Sequence, residues 1–198
     1  MKTEQILQKM QTAQNLRWGD PELAEVFARS ALEDAQALGC VSASLHFLLA
    51  DILDDQRKDL QGFTEVTEAL RLDPFFPRAR ELAGSLAGRL RSSLQSAMRS
   101  ADDPAIPRMY AVLARSGETT LACHLTMIRY ALATGEIDRA SSLAEAVVAL
   151  YPGEAKAWTA LAEVSRTAGN EARASEADFQ VGVLGLAPVP PGTVWAKA

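Results

Sequence analysis

The residues with the most chemical potential are few: Cys40 and Cys123 are the two cysteines of the 198-residue chain, and His46 and His124 its two histidines. Cys123 and His124 are adjacent, and a thiol beside an imidazole is one way to activate a nucleophile. Neighbours on a helix nevertheless point ~100° apart, which sets this pair against joint work as nucleophile and base or as metal ligands. Neither cysteine has a partner at CxxC or metal-ligand spacing. No P-loop, dinucleotide-binding glycine run or HExxH segment occurs. The sequence thus assigns no catalytic residue, no metal ligand and no cofactor, and the chain reads as a non-enzyme. The lone thiols read as buried small hydrophobes in a reducing compartment.

Charge is the next resource, and it is unevenly placed. The net charge is −5; residues 1–76 contribute −6, residues 77–116 contribute +4 and residues 117–198 contribute −3. The cationic middle carries Arg78, Arg80, Arg89, Arg91 and Arg99, with Arg108 and Arg115 following. Phosphate binding would need these arginines on one exposed surface with aromatics interleaved for base stacking. At ~100° per residue they spread around a helix instead, so nucleic-acid binding is only a third-ranked reading.

Such side chains need a scaffold, and the composition points to helices. Apolar residues make up 48% and aromatics only 6% of the chain, with Ala and Leu dominant, which favours helix over sheet. At this length about 70% of the extended chain's surface is buried on folding, so neither disulfide nor metal is required. No apolar run approaches the ~20 residues of a membrane span, and Met1 to Gln14 lacks the apolar core of a signal peptide. Membrane insertion is therefore not expected, and the cytoplasm is the expected location.

Internal repetition is the strongest signal. In the segment that begins at Ala155, Trp158, Leu161 and Ala162 are followed by Gly169, Ala174 and Val181. The preceding segment places His124, Met127, Ile128, Gly135, Ala140, Val147 and Pro152 in the corresponding slots. Residues 43–76 fit the same template with His46, Leu49, Ala50, Leu53, Gly62, Val66, Ala69 and Pro74. Small residues let neighbouring helices approach, larger apolar ones fill the layer between them, glycines turn the chain and prolines stop the second helices. His46 and His124 share the bulky slot of Trp158 and so read as structural. This pattern resembles the tetratricopeptide repeat family.

The resemblance implies an all-α solenoid, a right-handed superhelix of antiparallel helix pairs, over residues 1–187, followed by a proline-rich tail at 188–198. Its repeats are expected at about 5–38, 43–76, 77–117, 121–154 and 155–187. The first has a polar first helix (Gln8, Gln11, Thr12), as a solenoid cap requires, and Asp20 and Pro21 suit the start of its second helix. The middle one departs from the period. Pro74 and Pro152 are ten residues further apart than two periods, and Leu82, Leu86, Leu90, Leu94 and Met98 recur every fourth position. One long helix is expected from Arg78 to Arg99. Asp102, Asp103 and Pro104 then cap a shorter helix ending near Gly117. Gly84, Gly88 and Ser92 form a small-residue strip on the long helix, read first as a packing surface within the chain and second as a contact with another copy.

The family uses the inner face of its first helices to hold partners. Carried over, that face comprises Phe47, Asp51, Asp54 and Asp55 in one repeat, Leu125, Arg129 and Leu132 in another, and Lys156, Thr159, Glu163 and Arg166 in the last. An exposed Phe47 beside three carboxylates would suit a basic, partly apolar ligand. The carboxylate clamp by which some co-chaperones grip acidic C-terminal tails is not expected. Lys9 and Arg78 match two of its cationic positions, but Ala13 and Leu48 replace its asparagines. The expected function is that of a protein- or peptide-binding scaffold or adaptor. The alternative is self-association, as a homodimer through residues 78–99 or through the tail, where Trp195 would be the anchor.

Overall fold

The computed structural model describes residues 2–97 and 103–186. Among these, ten α-helices and no strand occur: α1 Lys2–Leu16, α2 Pro21–Ala37, α3 Ala43–Asp55, α4 Asp59–Leu72, α5 Pro77–Ala97, α6 Ala105–Arg115, α7 Leu121–Ala133, α8 Ile137–Leu150, α9 Ala155–Thr167 and α10 Glu171–Leu186. The fold is all-α, a helical repeat. The helices α3, α7 and α9 each have 13 residues, whereas α5 has 21 and carries the extra length of the central segment. Met98, Arg99, Asp102 and the tail at 188–198 lie outside the described residues. No described helix is long and apolar enough to cross a membrane.

The chain divides into two compact units, Met1–Leu94 with Ala111–Glu118, and Gln95–Tyr110 with Thr119–Ala198. In the first, α1 packs on α2, α2 on α3 and α3 on α4, and α1 also touches α3. Its core joins Ile6, Ala13, Ala24, Ala28, Ala31, Leu49, Ile52 and Leu53. The many alanines permit close approach of the helices. Gly62 extends that logic, since a Cβ there would stand 3.4 Å from the Ala50 carbonyl and 3.5 Å from Leu53. In the second unit α7, α8, α9 and α10 pack in the same order, with α7 also touching α9, around Ile128, Ala131, Ala140, Val147, Leu161 and Val164.

Local signals explain the helix ends. Asp20 accepts from the Leu23 N–H at 3.0 Å and Pro21 opens α2, as the sequence implied. Five helices end in one motif, in which the N–H two residues past the helix cap bonds back to a carbonyl five residues earlier. The bonds are Cys40 to Ala35 at 2.9 Å, Lys58 to Leu53 at 2.9 Å, Glu118 to Leu113 at 2.9 Å, Glu136 to Ala131 at 2.8 Å and Asn170 to Ser165 at 2.8 Å. The residue before each of these donors is left-handed. It is glycine at 39, 117, 135 and 169, but Arg57, at φ 57°, in α3's exit. Arg57→Gly is therefore expected to stabilise the chain by ~0.5–1 kcal/mol, because an L side chain is disfavoured there by ~1–2 kcal/mol and glycine's unfolded-state freedom offsets part of the gain. A denaturant midpoint that falls would refute the assignment of strain to this turn.

Two expectations need correction. Cys40 is exposed, because it closes the turn after α2; Cys123 is buried. Gly84 and Gly88 have no neighbour within 4 Å of a would-be Cβ, so their strip is not a packing surface within the described residues. The buried face of α5 is instead Ala79, Leu86, Ala87, Leu90 and Leu94. Trp158 is only partly buried, since its indole N–H reaches out to donate to the Pro152 carbonyl at 2.9 Å.

Candidate functional site

His46, His124 and Trp158, which share the bulky slot of the sequence pattern, each bond to a group within the chain. His46 is buried and its Nδ1 lies 2.8 Å from a Glu65 carboxylate oxygen. His124 is 8% exposed, shares a 2.8 Å hydrogen bond between Nδ1 and the Tyr110 hydroxyl, and packs against the rings of Tyr110 and Tyr151. Cys123 turns instead to Thr120, with Sγ 3.3 Å from the hydroxyl, so thiol and imidazole have separate partners. Among the described residues no group of three or more His, Cys, Asp or Glu is placed to hold a metal.

Burial holds the His124 pKa below that of a free imidazole. The unfolded chain therefore takes up a proton near pH 6.5 that the folded chain refuses, and this contribution to stability, full above that pH, is lost as pH falls. We expect the urea midpoint to drop between pH 7 and pH 5, and His124→Gln to drop less over that interval. Parallel pH profiles for the two chains would contradict this.

In the first unit, the α3 positions expected to face a ligand are largely engaged already. Phe47 is 8% exposed rather than open, because Phe76 stacks at 4.8 Å between ring centroids and the Arg78 guanidinium lies over its face at 5.0 Å. The three carboxylates are neutralised from within. Arg17 bonds Asp51 and Asp55, and Arg89 bonds Asp54 as well as Asp59 at 3.1 Å. The Asp55 hydrogen bond above all, with Asp51, holds Arg17 more firmly in its charged form. Burial opposes the charge on Arg89, but bonds to Asp59 and Asp54 outweigh it. A basic ligand would meet no free acidic patch here, which corrects the expectation drawn from sequence. The reason is distance along the chain: Arg17 and Arg89 lie at least 30 residues from the acids they pair with.

What the fold does assemble is a cavity of about 370 Å³ lined by Met10 and Gln14 of α1, Arg17 and Trp18 of the turn, Ser44, Phe47, Leu48 and Asp51 of α3, Phe76, and Arg78 of α5. Trp18 is 80% exposed, with Arg17 stacked on it at 4.7 Å. Arg78 is 71% exposed and 3.9 Å from Asp51. Trp18 and Phe76 fall outside the repeat's signature slots, which is why the periodicity passes over them. Lys9, by contrast, is drawn to Ser30 and Asp34, away from this cavity's lining. A second cavity of about 430 Å³, between α4 and α6 over Phe63 and Val112, shares no residue with the first.

In the second unit, Leu125 and Leu132 are half-buried against the core. Arg129, Lys156, Thr159, Glu163 and Arg166 are exposed. Arg166 pairs with Asp178, and the Thr159 hydroxyl donates to the Ala155 carbonyl at 2.9 Å. Among the described residues, Arg129 and Lys156 form no ion pair.

The pair α7 and α8, together with most of α9, lies in residues 121–164, which match the family model for the tetratricopeptide repeat. Residues 121–164 thus carry a tetratricopeptide repeat. Solved structures similar to it include MamA from Desulfovibrio magneticus RS-1, at 13% identity over 91% of this chain and 95% of that one with a TM-score of 0.40. Another is MamA of AMB-1, at 14% identity over 93% and 94% with a TM-score of 0.41. BtubC from P. vanneervenii aligns at 15% identity over 100% and 97% with a TM-score of 0.42. No curated protein matches the chain.

Proposed function

We propose that the chain is a protein-interaction scaffold or adaptor whose first compact unit receives an extended peptide segment against α1, α3 and the start of α5. The observation that carries this reading is the exposed Trp18 at a cavity that also presents Phe47, Phe76 and Arg78. An indole with its large apolar area left in water, beside an arginine and a recess, has the composition of a binding hot spot. Tetratricopeptide repeats serve protein recognition, and the repeat match supports that general role. The α7 and α9 positions Arg129, Lys156, Thr159 and Glu163 offer a second, exposed face for contacts of their own. Arg80, Arg89 and Arg91 are engaged within the chain, which disfavours the nucleic-acid alternative.

The test uses the chain and its Trp18→Ala, Arg78→Glu double variant as targets for a random peptide library. Both side chains are exposed, so circular dichroism should be unchanged. Selected peptides are expected to bind the parent chain and to lose at least about tenfold in affinity on the variant. Peptides that bind both chains equally would reject this wall as the binding face.

A further inference from the structure

The cavity of the first unit has a charge balance that narrows its ligand. Around it Arg17 and Arg78 face Asp51 and Asp55, two cations against two anions, already paired. Such a surface has little net charge with which to select a strongly acidic or basic peptide. It offers the exposed Trp18 indole, the half-buried Phe76 ring and N–H donors on Gln14, Arg78 and Trp18. The Trp18 indole N–H makes no hydrogen bond among the described residues. Aromatic walls with an indole donor suit a polyproline II segment, whose rings lie on the aromatics and whose unpaired carbonyls accept from the donors.

The chain itself contains one such segment. Of its nine prolines, six serve the fold. Pro21 and Pro77 open helices, Pro107 lies in the first turn of α6, and Pro74, Pro104 and Pro152 lie in connections. The other three, Pro188, Pro190 and Pro191, are clustered in residues 187–198, a stretch with Lys197 as its one charged side chain and Trp195 as its one aromatic. A nearly uncharged, proline-rich ligand is what a charge-balanced aromatic recess accepts, and in extended polyproline II form twelve residues span ~37 Å, ample to cross several helices.

We infer that the proline-rich segment 187–198 of this chain is a ligand for the cavity at Trp18 and Phe76, seated with its prolines against the exposed indole. This rests on the reading that the α1–α3–α5 wall holds extended peptides and names its occupant. The segment is seated from a second copy, which links chains head to tail.

The probe is a fluorescently labelled synthetic peptide of residues 187–198, followed by anisotropy against the full chain, its Trp195→Ala variant and its Trp18→Ala variant. Saturable binding is expected, tighter on the Trp195→Ala chain, whose own segment competes less well, and at least about tenfold weaker on Trp18→Ala. Light scattering over a concentration series is expected to show mass rising with concentration, and a constant monomer mass would reject seating from a second copy. Absence of saturation on the Trp195→Ala chain up to about 1 mM, or equal affinity on Trp18→Ala, overturns the inference. If library peptides still bind in a Trp18-dependent way, only the named occupant falls; if they do not, the reading of the wall falls with it.

Discussion

Phe63→Ala is expected to destabilise the first compact unit by ~3–5 kcal/mol, the range for truncating a buried aromatic. Phe63 is 1% exposed and lies on α4 next to Gly62, where a Cβ would stand 3.4 Å from the Ala50 carbonyl of α3. Its ring also helps line the 430 Å³ cavity between α4 and α6. Neighbours cannot close over the gap left by truncation when one side of it already borders open space. The lost contacts should therefore stay lost, placing the effect toward the upper end. Phe63→Leu, which keeps most of the volume, should cost less than half as much. Guanidinium unfolding followed by circular dichroism measures both, and a Phe63→Ala midpoint close to that of the parent chain would show that this ring does not support the core.

Arg17→Glu should cost ~2–4 kcal/mol, more than Arg17→Met at ~1–2 kcal/mol. The Arg17 side chain is 17% exposed and its partners Asp51 and Asp55 are 16% and 25% exposed, so water screens the group only in part. Replacing the cation by glutamate removes two ion pairs and adds a fourth carboxylate beside Asp51, Asp54 and Asp55. Arg89 serves only Asp54 of these, and Arg78 stands 3.9 Å from Asp51. The charge-reversed variant should regain stability as salt is raised from 0.05 to about 0.5 M, because shortening the screening length weakens repulsion between like charges. The methionine variant should show little of that recovery. If both variants melt with the parent chain, the Arg17 contacts are surface decoration of the kind that contributes nothing measurable.

Much of the local architecture was legible in the residues themselves. The period of apolar and small residues marks α7, α8 and α9, which contain most of the matched repeat. Asp20 and Pro21 announce the start of α2, Gly117, Gly135 and Gly169 announce turns, and the fourfold leucine spacing announces the length of α5. These features depend on backbone preferences and on which side of one helix is apolar, and both are set within a few residues. Arg57 shows the limit of that reading. It takes the left-handed turn that glycine takes elsewhere, because the bond from Lys58 to Leu53 and the packing of α3 on α4 impose it.

The candidate site was legible only in part. The sequence by itself determined an all-α chain of tetratricopeptide-type helix pairs, the placing of Phe47 and Asp51 on α3, and the shared slot of His46, His124 and Trp158. Only the tertiary structure decided that Phe47 is covered by Phe76 and Arg78, that Arg17 and Arg89 cancel the α3 acids, and that Trp18 stands open beside them. Helix periodicity reports which way a side chain leaves its own helix. The partner it meets depends on which distant segment the packing brings alongside, and long arginine side chains reach across helices that no local spacing relates.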